Sequence, residues 1–184
     1  IRNKIILYLN LVLFLLILMI CPVQLEEIDI TADIINIDKE TNIVEAEGSV
    51  VAIDQRGNTI TADRSKYFKN TDILEAYGAV EAFDIDNNKL TTDKLKYTNA
   101  DGKIYSYKNS KVFLNNGYVV SSDSFVYDTI KKIVLSNEYS NIINLEEDSP
   151  IKSAELENFE YSFIDKLFAS KGFSKVIDNL NNIY

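Results

Sequence analysis

The sequence predicts an all-β fold, an antiparallel jelly-roll-like or solenoid-like body built from short repeats. Three observations predict it. The triplets Thr31-Ala32-Asp33, Thr61-Ala62-Asp63, Thr91-Thr92-Asp93 and Ser121-Ser122-Asp123 recur every 30 residues, and a fixed period of that size marks a repeat architecture. Val, Ile, Tyr, Phe and Thr dominate the segments between them, with only two prolines in the chain. Asn, Asp and Gly cluster between segments, at Asn70-Thr71-Asp72, Asp84 to Asn88 and Asn115-Asn116-Gly117, as hairpin turns require.

The first segment stands apart. Arg2 and Lys4 precede an apolar stretch from Ile5 to Val23, broken only by Tyr8 and Asn10, and Glu26 and Glu27 follow. That charge order belongs to a segment inserted with its N-terminus inside, and the stretch lies at the short end of the roughly 17 to 25 residues that cross a bilayer as a helix. Residues 1–24 therefore read as a hydrophobic helix that serves as a signal peptide or a membrane anchor. Between Met19 and Gln24 there is no small-x-small cleavage site, which keeps the anchor open. Cys21 follows Ile20, where a lipidated Cys would follow a small residue, so it reads as a small apolar member of the segment. With Ile1 in place of Met, the natural start is expected upstream.

Residues 25–184 form the repeat array. Four residues after each Asp comes Ile37, Tyr67, Tyr97 or Tyr127, and Ile43 to Gly48 aligns with Ile73 to Gly78. The third copy, Ile104 to Asn109, reads as displaced by one because Asn99-Ala100-Asp101-Gly102 makes a longer turn. A looser fourth copy runs from Ile133 to Glu138. A fifth follows an insertion at Glu146 to Pro150, with Ser153-Ala154-Glu155, then Phe159, then Leu167 to Gly172, then Val176-Ile177. It stops at Tyr184 in mid-repeat, so the array reads as truncated at its C-terminus.

Each repeat should hold two strands, and the alternation shows where they bend. Ile60 and Ala62 share one face, but Ser65 and Tyr67 have the opposite parity; the switch recurs at Leu90-Thr92 and Leu95-Tyr97. A strand changes its buried face at a bulge or corner. The Asp sits at that switch, which predicts two stacked antiparallel sheets with strands crossing from one to the other.

Composition excludes much chemistry. There is no His and a single Cys, so His-dependent triads, His or Cys zinc sites and internal disulfides are ruled out. A net charge of −9 disfavours nucleic acid. Asp33, Asp63, Asp93 and Asp123 could suggest calcium, but successive members belong to successive repeats and no second carboxylate column accompanies them. They read as structural residues that bond their own backbone at the corner. The tyrosine column reads as interior packing before sugar stacking. No acid pair stands out for glycoside hydrolysis, and neither metal, cofactor nor enzymatic activity is expected.

The motif of Ile60 to Tyr67 followed by Ile73 to Val80, repeated as Ile30 to Ile37 followed by Ile43 to Val50, resembles the OstA-like domain of the lipopolysaccharide-transport family. The resemblance covers about residues 28–143. Members of that family include the bridge LptA, the anchored LptC and the periplasmic N-terminal domain of LptD, and the length of the array is most like the last. The resemblance implies a twisted β-jellyroll, open along one side, whose apolar groove carries the acyl chains of lipopolysaccharide. It also implies head-to-tail pairing with other OstA-like proteins through edge strands, in the periplasm or at the outer membrane of a Gram-negative bacterium. Membrane contact would come from the N-terminal segment or from a barrel beyond Tyr184. The groove candidates are Ile30, Ala32, Val44, Ala46, Val50 and Ala52, with their counterparts Ile60, Ala62, Leu74, Ala76, Val80 and Ala82; the same residues could instead fill a closed core. A structural or adhesive β-repeat protein without lipid is the alternative from another class.

Overall fold

A computed structural model describes residues 28–184 apart from 115–116 and 147–148. The expected leader over 1–24, with Cys21, lies outside the described residues. The chain runs through β1 (Asp29–Thr31), β2 (Ile34–Asp38) and the long strands β3 (Ile43–Ile53), β4 (Thr59–Phe68), β5 (Ile73–Phe83) and β6 (Lys89–Thr98). Shorter strands follow: β7 (Lys103–Tyr107), β8 (Ser110–Phe113), β9 (Tyr118–Ser122), β10 (Val126–Asp128), β11 (Ile133–Ser136) and β12 (Ser140–Asn144). The last are β13 (Ile151–Leu156), β14 (Phe159–Ser162), β15 (Leu167–Ser170) and β16 (Ser174–Asp178).

Hydrogen bonding joins these into one continuous 16-stranded antiparallel sheet. The expected crossing is present, because every long strand folds over at its middle. Register shifts fall between Glu47 and Val50 in β3, between Thr61 and Arg64 in β4 and between Tyr77 and Val80 in β5. From β6 onward the fold becomes a fork. The second half of β6 pairs β7, the first half pairs β8, and the path continues as β7-β10-β11-β14-β15 on one arm and β8-β9-β12-β13-β16 on the other. We call these arm A and arm B. Adjacent halves of β3 pair β2 and β1 in the same way.

The corner is built from the Asp column and a pair of left-handed residues facing it. Gly48 and Ser49 have φ of 78° and 49°, Gly78 and Ala79 have 75° and 43°, and Lys108 and Asn109 have 64° and 48°. A Cβ on Gly48 would stand 2.4 Å from Asp33 Oδ2, and one on Gly78 would stand 2.3 Å from Asp63 Oδ2. Glycine is therefore required twice over, for its φ and for the carboxylate lying on it. The side chains reach the neighbouring strand and not their own backbone as expected. Ser49 Oγ donates to Asp33 Oδ2 at 3.3 Å, and Asn109 Nδ2 donates to Asp93 Oδ2 at 2.7 Å. In the later copies the ladder lapses and hydroxyls take its place. Phe125 N donates to Ser106 Oγ at 2.9 Å, Thr92 Oγ1 lies 3.1 Å from Ser110 Oγ, and Ser122 Oγ lies 2.9 Å from Ser136 Oγ. Buried backbone groups left by a broken ladder need such partners.

Two alignments change. The third copy is not displaced: Ile104 pairs Tyr97 just as Leu74 pairs Tyr67, so its place is that of Leu74 and the period stays intact. Lys103 occupies the outward position of Ile73, where a charged side chain is as well placed as an apolar one. In the fifth copy the aromatic of the Tyr127 row is Tyr161, not Phe159, since both Tyr127 and Tyr161 pair Val134.

The corner makes opposite predictions for two substitutions. Gly78→Ala should destabilise the protein by about 1–3 kcal/mol, the cost of a residue held in a sparsely allowed backbone conformation. Lys108→Gly should gain up to about 1 kcal/mol by relieving one. Urea denaturation of both variants checks the pair, and equal signs would contradict the corner described.

Candidate functional site

The two arms face each other across an apolar interior. On arm A one row runs Val44, Tyr67, Leu74, Tyr97, Ile104, Tyr127, Val134 and Tyr161, each paired with the next. On arm B the facing row runs Ala52, Ile60, Ala82, Leu90, Val112, Val120, Ile142 and Ala154. Rings on one wall face many small residues on the other, which lets the walls approach closely. Val44, Ala46, Val50, Ala52, Ile60, Ala62, Leu74, Ala76, Val80 and Ala82 all belong to the buried core, while Ile30 and Ala32 are half-buried at the first edge. All twelve candidate residues thus line or border the interior. The expectation that the tyrosines pack inside is met: Tyr67, Tyr97 and Tyr127 are each at most 5% exposed. The sequence reading stopped at two copies. The same columns continue through Leu90, Ile104, Val112, Val120, Val134 and Ile142, and the unbroken period could have found them.

At the far end the interior widens into a cavity of about 300 Å³. Tyr118, Ile142, Ala154, Leu156 and Val176 line it from arm B and Phe168 from arm A. The rings of Tyr118 and Phe168 meet edge to face, 5.3 Å between centroids.

Along the side opposite the corner, the rims of the arms meet at two polar clusters. Asp54 directly follows β3 on the side of arm B and Tyr97 is the last residue but one of β6 on the side of arm A, and the Tyr97 hydroxyl donates to Asp54 Oδ2. The Arg56 guanidinium donates to the Tyr97 oxygen at 2.8 Å and to Asn99 Oδ1 at 2.6 Å. One repeat later Tyr127 donates to Asp84 Oδ2 at 2.5 Å, and Lys132 Nζ stands 3.2 Å from Asp84 and 3.0 Å from Asp86. Asp54 and Asp84 are a second carboxylate column, against the expectation that none exists, and Leu114 ends it. Each also organises its own hairpin: Oδ1 accepts the backbone N–H of Asn58 or Asn88, and Oδ2 accepts that residue's side-chain amide. Asp178 and Asn182 repeat the arrangement at the end of β16. Among the described residues no three His, Cys, Asp or Glu side chains gather to hold a metal ion.

Burial opposes the charge on Asp84, but hydrogen bonds from Asn88, Tyr127 and Lys132 outweigh it and hold the carboxyl below its ordinary value. Burial, joined by the facing carboxylate, pushes the Tyr97 and Tyr127 hydroxyls far up, so both stay protonated donors.

Fold and interior together define a class, a forked β-jellyroll with an apolar interior between two arms. The sequence profile of the family described as OstA-like protein matches residues 22–155, and the chain belongs to that family. No curated protein matches it in sequence. Among solved structures it is similar in fold to LptH of Pseudomonas aeruginosa, the LptA-homologous periplasmic component of the lipopolysaccharide transport device. The two are 20% identical with a TM-score of 0.51 over 59% of this chain and 80% of LptH.

Because the folded-state value of Asp84 lies below the unfolded one of about 3.9, its contribution to stability is present above that pH and fades as pH falls through the folded value. Thermal melts between about pH 7 and pH 3 should show wild type losing stability in acid more steeply than Asp84→Asn. Parallel curves would contradict the assignment.

Proposed function

We propose that the protein is a non-enzymatic carrier in lipopolysaccharide transport through the periplasm, holding acyl chains between its arms. The single observation that carries this is the continuous apolar interior, walled by ladders of matched columns and free of the charged side chains confined to its rims. It is supported by membership of the OstA-like family and by the fold shared with LptH. Each methylene taken from water is worth about 0.8 kcal/mol, so a long apolar trough holds a multi-chain lipid better than a few hydrogen bonds would. The twelve interior candidates, Ile30 through Ala82, are on this reading wall residues of the lipid path. A cavity of about 300 Å³ beside β15 and β16 lies on that path.

Docking to like-folded partners would use the strand edges. Among the described residues β1 and β2 pair only β3, and β15 pairs only β14. Ile34, Ile35 and Ile37 stand exposed along β2 at 55, 42 and 61%. Unpaired strand edges flanked by apolar side chains favour addition of another strand. The strands continue past residue 155, where the OstA-like match ends, which supports a larger member of the pathway, such as one resembling the N-terminal domain of LptD. Residues 1–24 would then act as its export signal or anchor.

A photoreactive residue at Ala76 or Leu156 should form adducts with lipopolysaccharide in cells. Repeated absence of lipid adducts along both walls would reject the carrier and favour the structural alternative. A cysteine at Thr31 should cross-link to an OstA-like partner, and a protein that stays monomeric in cells would count against edge docking.

A further inference from the structure

The two polar clusters across the rims are not what packing alone would place there. Asp54 and Asp84 have side chains only 1% and 0% exposed, yet the next position of the same column is Leu114, which is also buried. An apolar residue can therefore close the seam. In both clusters the bonded Tyr lies 43 residues beyond the Asp, so the arrangement is one device repeated at the repeat period.

Polar closure behaves differently from apolar closure. A buried pair of charges roughly breaks even against apolar residues of the same shape, so it is a poor source of stability and better suited to fixing register or switching. These clusters also lie at a rim. Arg56 is 28% and Lys132 21% exposed, so water reaches the groups as soon as the arms part. Prising apart two apolar rims would instead leave bare apolar surface in water.

We propose that these clusters are lateral latches, which hold the seam shut over the first copies and part to admit a lipid chain sideways while its polar head stays in water. Beyond Leu114 the latch column ends, and there the interior widens into its cavity. The lipid half of this proposal rests on the carrier reading; the opening of the seam does not.

Spin labels on Gln55→Cys and Ala100→Cys, with Cys21→Ser, report the separation of the two rims in the full chain. Replacing Tyr97 and Tyr127 together by Phe keeps both rings and removes only the hydroxyls. It should broaden the distances toward longer values and speed uptake of pyrene-dodecanoate by about ten- to thirtyfold, the factor carried by two hydrogen bonds of ordinary strength. Asp54→Leu with Asp84→Leu, imitating Leu114, should narrow the distances and slow uptake. Arg56→Gln, at a partly exposed site, should act as the Tyr variants do but less strongly, and circular dichroism verifies the fold of each. Unchanged distances in the folded Tyr97→Phe and Tyr127→Phe double variant overturn the latch. Distances that respond while no form takes up the probe support the latch and overturn the carrier.

Discussion

Everything in this fold depends on the corner, where an Asp carboxylate lies on the backbone of the next strand and two residues take left-handed conformations. A β-strand alternates faces with a period of two, so one extra residue sends the following side chains to the other face. Here the register shifts in β3, β4 and β5 at matching positions. In β4 and β6 the buried residues change parity, from Ile60 and Ala62 to Ser65 and Tyr67 and from Leu90 and Thr92 to Leu95 and Tyr97, whereas in β3 and β5 the left-handed pair takes up one residue more and Val44, Ala46, Val50 and Ala52 keep theirs. The apolar residues before and after the corner consequently line the same enclosed space. Without the corner the two halves of each strand could not face each other and enclose their Val, Leu and Ala.

The corner changes character along the array. In the first copies it is continuous strand with a bulge, its inner side formed by Ala46, Val50, Ala62, Ala76 and Val80. In the later copies Thr92, Ser106, Ser110, Ser122 and Ser136 take those places, and the sheet divides into separate half-strands. Side-chain hydroxyls can satisfy backbone groups that a broken ladder leaves behind, whereas Ala and Val cannot. The composition of these columns therefore matches the passage from folded ribbon to fork. The fork in turn ends at β15 and β16, beside the cavity.

The carrier reading and the architecture support each other physically. An interior lined by matched columns presents a like apolar surface from copy to copy, up to the cavity beside Phe168 and Leu156. The charged side chains are kept to the outer faces, as in the Lys66 and Glu45 pair at 2.9 Å, and to the seam. Apolar interior, polar seam and free strand edges are three distinct surfaces, each produced by its own columns of the same repeat.

Much of this was legible in the sequence, and the reason is periodicity. A 30-residue period and a two-residue alternation are local properties of the chain, so the all-β class, the face switch at each Asp and all twelve interior candidates could be read directly. Alignment failed where an outward position tolerates any side chain, as at Lys103, or where the spacing changed, as at Tyr161. The Asp54 and Asp84 column escaped notice because Leu114 interrupts it after two members. What only the tertiary structure decided is how the arms close on each other: the contacts of Tyr97 with Asp54, of Tyr127 with Asp84 and of Tyr118 with Phe168. Those residues share no strand pairing, so neither the alternation nor the register brings them together, and their meeting follows from the angle at which the corner folds the sheet.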